Sequence, residues 1–150
     1  MRKPPELDEV LRQPRTLEAV VEPRFIDAMG HMNIAWYMVL FDRASWAILA
    51  RIGLDEAEMQ RAGSGAFAVE QTVRYFAELR LGARVDVYTR MVAIDGKIVR
   101  FVHTMVDVER RCVAATVDTV AAHVDRRTRR AVPFPASLIG SAEELMRLRA

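Results

Sequence analysis

The chain has 150 residues and a mass of 17.0 kDa, 51% of it hydrophobic, which supplies one core and leaves little for a second domain. Its 22 basic and 20 acidic residues leave a net charge of only +2, so no nucleic-acid partner is expected and acidic small molecules remain. The single Cys112 rules out an internal disulfide and fits a reducing cytosol.

The start, Met1-Arg2-Lys3-Pro4-Pro5, is basic, but Glu6, Asp8 and Glu9 interrupt at once, so secretion is not indicated and a cytoplasmic location is expected. Asp42 and Arg43 split the longest apolar run well short of the roughly 18 to 20 residues of a membrane span, and no membrane partner is expected. We read residues 1–150 as one domain, with 1–16, rich in proline and charge, as a loose arm. Ala19-Val20-Val21 is a short strand that Glu22-Pro23 ends or confines to an edge.

Then comes the densest chemistry. Asp27, Gly30, His31 and Asn33 fall within seven residues, directly before the run Ile34 to Ala50, whose only strongly polar members are Asp42, Arg43 and Ser45. That run is a helix apolar nearly all round, hence buried, with Asp42 needing a partner inside. Asn33 caps it, Arg51 sits in its last turn, and Gly53 ends it. The first N–H groups of such a helix have no intrahelical acceptor and carry the positive end of the dipole. They can face a carbonyl or anion, with Gly30 giving the backbone N–H or the room for it, and Asp27 and His31 alongside.

Asp55 with Glu58 three residues later opens a second, short helix to about Arg61, and Gly63-Ser64-Gly65 breaks it. From Ala66 the period is two: Phe67, Val69, Val73 and Tyr75 share one face, and Ala68, Glu70, Thr72 and Arg74 the other. Further strands run over 84–94, 97–108 and 112–124, the first two joined by the hairpin turn Asp95-Gly96. Arg126-Arg127-Thr128-Arg129-Arg130 is a basic loop, and Ser137 or Ser141 caps a last helix through Leu148. One strand, a helix, then four strands is an α+β arrangement, an antiparallel sheet wrapped around one long helix.

The pattern Asp27-x-x-Gly30-His31-x-Asn33, with Tyr37 and then Phe41-Asp42-Arg43-Ala44, resembles the hotdog-fold acyl-CoA thioesterases of the 4-hydroxybenzoyl-CoA thioesterase type. The tracts Ala68-Val69-Glu70, His123-Val124-Asp125 and Pro133-Phe134-Pro135 look closest to the betainyl-CoA thioesterase-like group. The likeness runs from about Ala19 to Pro135 and departs at Met29, where a polar residue, often Asn, is expected. It implies the hotdog fold, a homodimer or dimer of dimers whose sheets run on into each other, and hydrolysis of a small or medium acyl-CoA with no cofactor beyond the coenzyme A of the substrate. Asp27 then attacks the thioester or activates water, a thiolate leaving with little acid assistance.

Each candidate also has a plainer role. Asp27 is otherwise a turn or helix cap; His31 orients Asp27, donates to the thioester oxygen or holds the loop; Asn33 is a cap first and a donor second. Glu70 is a second carboxylate that strict alternation turns away from the helix unless a bulge re-aims it. Arg129 and its neighbours are a solvated loop or a contact for coenzyme A phosphates. For a quaternary ammonium acyl end the aromatic candidates are Trp36, Tyr37, Phe41, Tyr75 and Phe76. Adjacent Trp36 and Tyr37 diverge by about 100° on a helix, so one cage cannot use both unless another chain contributes. His31, His103 and His123 have no spacing typical of a metal site, and none is expected. Two alternatives are a non-catalytic acyl-CoA-binding module and a hotdog hydratase. The hydratase signature Asp-x-Asn-Pro-x-His puts His five residues after Asp, whereas His31 follows Asp27 by four.

Overall fold

A computed structural model describes residues 2–148. In chain order it contains α1 (Leu7–Val10), β1 (Arg15–Val20), a 3₁₀ turn (Pro23–Phe25), α2 (Ile34–Arg51), α3 (Glu56–Ala62), β2 (Ser64–Tyr75), β3 (Arg84–Asp95), β4 (Ile98–Asp107), β5 (Cys112–Asp125) and α4 (Ala136–Arg147). The strands form one sheet in the order β1-β3-β4-β5-β2, antiparallel throughout. This is the expected α+β hotdog arrangement, with β1 and β2 as the edges.

Helix α2 begins where Asn33 accepts from the Ala35 N–H and ends where Gly53 takes φ +98. A Cβ at Gly53 would stand 3.1 Å from Leu138, so both space and backbone conformation call for glycine there. Tyr37, Leu40, Phe41, Ala44 and Ile48 form the buried stripe. They pack on Val85, Val87, Met105 and Val117 near the start of α2, and on Val99, Phe101 and Ala121 near its end. Burying each large apolar side chain contributes roughly 1.5–3 kcal/mol, so this stripe fixes the helix to the sheet.

The helix is not covered all round, as the sequence suggested. Ile34 is 65% exposed, Val39 38% and Trp46 48%, and Asp42 and Arg43 are also on the surface. One sheet covers one stripe, and Asp42, expected to need a buried partner, stands in the open. Nor are residues 2–16 loose. Val10 is buried against Val106 and Val113 with Leu7, Phe76 and Tyr88 packed around it, the Pro14 carbonyl accepts from Thr89, and β1 starts at Arg15. Met1 lies outside the described residues. The last helix starts after Pro135 with no side-chain cap, and Ser141 donates back to the Ser137 carbonyl one turn earlier.

Strand β2 carries a bulge. Ala68 pairs with Ala121 and Glu70 with Val120, leaving Val69 as the extra residue. The side-chain alternation therefore resets at Val69. Ala66 and Ala68 face α2 before it, and Gln71, Val73 and Tyr75 after it. Phe67, assigned by alternation to the face of Val73, lies on the opposite face, its ring beneath Arg129.

Under α2 a polar chain crosses the core. His103 is fully buried, with Nδ1 2.6 Å from Thr89 Oγ1 and Nε2 2.8 Å from Ser45 Oγ. Thr89 in turn lies 2.8 Å from Thr16 Oγ1, which reaches the Val87 carbonyl. Phe41 stacks on the ring at 5.9 Å. Burial pushes the imidazole down to about 3, so it is neutral and has one N–H. Four protons, those of the imidazole, Ser45, Thr89 and Thr16, serve five contacts whichever ring nitrogen carries the N–H, so both ring nitrogens are paired and one contact to a backbone carbonyl, from Ser45 to Phe41 or from Thr16 to Val87, is given up.

The unfolded imidazole takes up a proton below about pH 6.5 and the folded one only near 3. Stability is therefore present above pH 6.5 and is lost as pH falls through this window, by about 1.4 kcal/mol per pH unit from this group. His103→Gln is expected to be less stable at pH 7 and to lose that part of the pH slope. Urea midpoints at pH 7 and pH 5 for both proteins measure it, and an unchanged slope would show the ring is not held neutral.

Candidate functional site

The loop before α2 is built by its own backbone. Ile26 and Met32 form an antiparallel bridge, the Asp27 N–H donates to the His31 carbonyl, and the Gly30 N–H donates to the Asp27 carbonyl at 3.0 Å. Gly30 sits at φ +81 with open space around it. The loop is tied to the rest of the fold at two points. Met32 N–H donates to the Leu79 carbonyl at 2.7 Å, and Asn33 N–H to the Phe25 carbonyl at 2.9 Å.

Asp27 projects from this turn with both oxygens held. Oδ1 accepts from Met29 N–H at 2.8 Å and Oδ2 from Asn33 Nδ2 at 2.9 Å. Asn33 Oδ1 accepts from Ala35 N–H at 2.9 Å. The cap requires the amide oxygen, so the nitrogen is turned to Asp27. The Asn33 hydrogen bond, then that of Met29, hold the carboxyl below its ordinary value against partial desolvation, with a smaller contribution from His31. The group is an anion at any physiological pH.

Asn33 also takes the Trp36 N–H on its carbonyl. With Ala35 and Trp36 satisfied, Ile34 at the first position of α2 supplies the open helix-terminal donor. The Gly30 N–H, expected as a donor to substrate, is instead used inside the turn, so glycine contributes conformation and clearance. His31 is half-buried; its Nδ1 lies 3.4 Å from the Met32 carbonyl, a weak contact. Among the described residues no side-chain hydrogen bond joins its ring to the Asp27 carboxylate.

The other candidates are distributed elsewhere. Trp36 stacks on Phe25 with centroids 4.1 Å apart, and the Arg24 guanidinium lies 5.1 Å from its ring. Tyr37 points to Tyr75, edge-on at 5.1 Å; burial pushes its phenol up to about 12, against a backbone hydrogen bond from Leu79. Phe41 is core and Phe76 packs by Val10, so these five aromatics form no common cage in the chain. Glu70 is exposed on the face away from α2, where its charge acts on Arg100. Arg129 lies in the turn after β5. Ser64 pairs with Asp125 and Tyr75 with Ala115, so ten residues of strand, about 33 Å, separate that turn from the Asp27 end of the sheet. Leu79 was missed: fully buried, it anchors the loop from below, and its only signal in the sequence is an apolar residue between Glu78 and Arg80. Among the described residues no His, Cys, Asp and Glu cluster could hold a metal ion, and no helix is long and apolar enough to cross a membrane.

A family model described as the thioesterase-like superfamily matches residues 21–141. The L-carnitine dehydrogenase/betainyl-CoA thioesterase of Agrobacterium fabrum is 35% identical over 131 residues, covering 87% of this chain and 27% of that protein. The chain thus spans about a quarter of the length of that relative. The betainyl-CoA thioesterase of Pseudomonas aeruginosa is 29% identical over 130 residues, covering 87% of this chain and 82% of its own. A Staphylococcus aureus protein characterised in complex with CoA has the same fold, with a TM-score of 0.85 at 23% identity over 92% of this chain and 87% of that one. With the match extending from the end of β1 into α4 and the five-stranded sheet packed on one long helix, the chain belongs to the thioesterase-like superfamily.

Proposed function

We propose that the protein hydrolyses acyl-CoA thioesters at Asp27. The observation that carries this is the carboxylate itself, held anionic by Asn33 and Met29 beside the open N–H of Ile34 at the positive end of α2. A thioester carbonyl oxygen resting on that N–H is polarised by the helix terminus. A carboxylate with a lowered pKa is a weak base but still a nucleophile, and a thiolate is a good leaving group. Asp27 therefore attacks the carbonyl carbon, the C–S bond breaks, and coenzyme A leaves as the thiolate, protonated from solvent. Water then opens the acyl-Asp27 anhydride, releasing the carboxylic acid and restoring the carboxylate. The route needs no cofactor beyond the coenzyme A of the substrate. The two betainyl-CoA thioesterase relatives support a small acyl group.

The same reading includes a homodimer. Edge strand β2 exposes unpaired backbone and the side chains Phe67, Val69 and Tyr75, while α2 beside it exposes Ile34, Val39 and Trp46. Antiparallel pairing of two β2 edges about a two-fold axis covers both. It also carries the Arg126–Arg130 turn of each copy toward the Asp27 end of the other, where Arg129 contacts coenzyme A phosphates.

Asp27→Asn is expected to lower kcat by at least about a thousandfold with an unchanged circular dichroism spectrum; near-wild-type thiol release would move the chemistry to another residue. In Asn33→Ala the carboxyl loses its largest stabilising contact, so its pKa rises. The acid limb of the kcat/KM profile, where activity falls as the carboxylate protonates, then moves to higher pH. A pH profile of both proteins checks the direction. Arg129→Gln is expected to raise KM for an acyl-CoA several-fold and to leave the N-acetylcysteamine thioester of the same acid unaffected. Equal effects on both would remove Arg129 from phosphate binding.

A further inference from the structure

We propose that the groove between the N-terminal arm and the outer face of the sheet binds a small organic monocarboxylate with an apolar body. The groove holds about 310 Å³, at the lower end of the roughly 300–1,000 Å³ of ligand pockets. One ring or a short chain fills it.

Its floor is made by four side chains of β3 and β4. In the register of these strands Tyr88 stands opposite Thr104 and Arg90 opposite Val102, and all four line the groove. Thr89 and His103 between them turn to the core beneath α2, so the floor is the face of the sheet that α2 leaves uncovered. The arm supplies the wall. Val10 packs on Val106 and Val113, and Pro5, Glu9 and Gln13 line the groove beside it.

Two groups on this floor lack a partner for their protons. Arg90 makes no ion pair or hydrogen bond among the described residues; Asp118, on which its charge acts, is already held by Arg100 at 2.9 and 2.5 Å. Thr104 is only 6% exposed, and its hydroxyl has no hydrogen-bond partner among the described residues. Buried hydroxyls are ordinarily paired, so this one calls for an acceptor inside the groove. Arg90 and Thr104 are diagonal neighbours across the strand pair, with Cα atoms roughly 7–8 Å apart. A carboxylate seated between them accepts from the guanidinium fork and from the hydroxyl at once.

The remaining lining sets the rest of the ligand. Val10, Val102 and the Tyr88 ring offer apolar contact to its body, and Glu9 opposes a second negative charge. No lysine and no second arginine lines the groove, so a dianion such as phosphate lacks the cations it needs.

The site goes beyond the thioesterase reading and does not rest on it. Strand β5 separates β4 from the β2 edge, and the groove opens on the side of the sheet opposite α2, so pairing of two β2 edges leaves it uncovered. A ligand held there touches arm and sheet together and fastens residues 5–13.

Sodium benzoate titrated into the 150-residue chain by isothermal calorimetry, with amide NMR spectra recorded along the titration, tests the assignment. Saturable binding is expected, with the largest shifts at residues 88–90, 102–104 and 9–13. Affinity is expected to fall at least tenfold in Arg90→Gln and several-fold in Thr104→Val, with folding checked by circular dichroism. Benzamide and inorganic phosphate are each expected to bind at least tenfold more weakly than benzoate. Absence of saturation, shifts confined to the Asp27 loop, equal affinity for benzamide or phosphate, or undiminished binding in Arg90→Gln would each overturn the proposal. So would a mass by light scattering that falls in Arg90→Gln with no benzoate bound by the wild type, which would give the groove to a second copy. Thiol release from an acyl-CoA panel, expected to be unchanged in Arg90→Gln, reads the catalytic proposal separately, so either can fail alone.

Discussion

One carboxamide holds the functional end of the molecule together. Asn33 uses its oxygen to start α2 and its nitrogen to hold Asp27. Helix geometry and site geometry are therefore a single construction. If the cap is lost, the first turn of α2 loses a partner worth about 1 kcal/mol and the carboxylate loses its main hydrogen bond in the same event. Few other residue types could do both, because the task needs an acceptor and a donor on one short, planar group. Aspartate and serine cap well, but the first would repel Asp27 and the second has a single oxygen where Asn33 uses two separate atoms.

The rest of the fold delivers that group to the right place. The loop is shaped from backbone bonds, and Leu79 beneath it connects the first turn of α2 to the connection between β2 and β3. The sheet side of α2 is closed by the two apolar clusters, while its outer stripe, with Asp42 and Trp46, is exposed in the single chain.

Much of this was legible in the sequence where local physics is strong. Asn33 before an apolar run, Gly53 after it and Asp95-Gly96 between alternating segments each report a local geometry, and strand limits from Arg84 onward agree within a residue or so. The long-range facts were not legible. Alternation through β2 failed because an inserted Val69 shifts the phase, and nothing in Ala68-Val69-Glu70 distinguishes a bulge from a regular strand. The outer face of α2, Asp42 included, was misread because apolar content all round the helix says how much of it wants covering, not which partner covers it. The residues before Arg15 read as a tail because charge and proline dominate, yet one valine was enough to fasten them to the sheet. At the site, the grouping of Asp27, Gly30, His31 and Asn33 was visible, whereas the use of the Gly30 N–H within its own turn follows from dihedral angles that the sequence does not specify.

The buried chain Ser45, His103, Thr89 and Thr16 has a consequence for how the strands find each other. A slip of β3 along β4 by two residues keeps every side chain on its own face and passes any test based on apolarity alone. It would carry Thr89 away from His103 and strand an imidazole nitrogen in the core, where an unmet polar group costs about 1–3 kcal/mol. Valines and methionines tolerate such a shift; a hydroxyl opposite an imidazole does not. The four polar residues thus act as a key that only one alignment of three strands and a helix will turn, and the sheet's greasy interior obtains its uniqueness from its least greasy members.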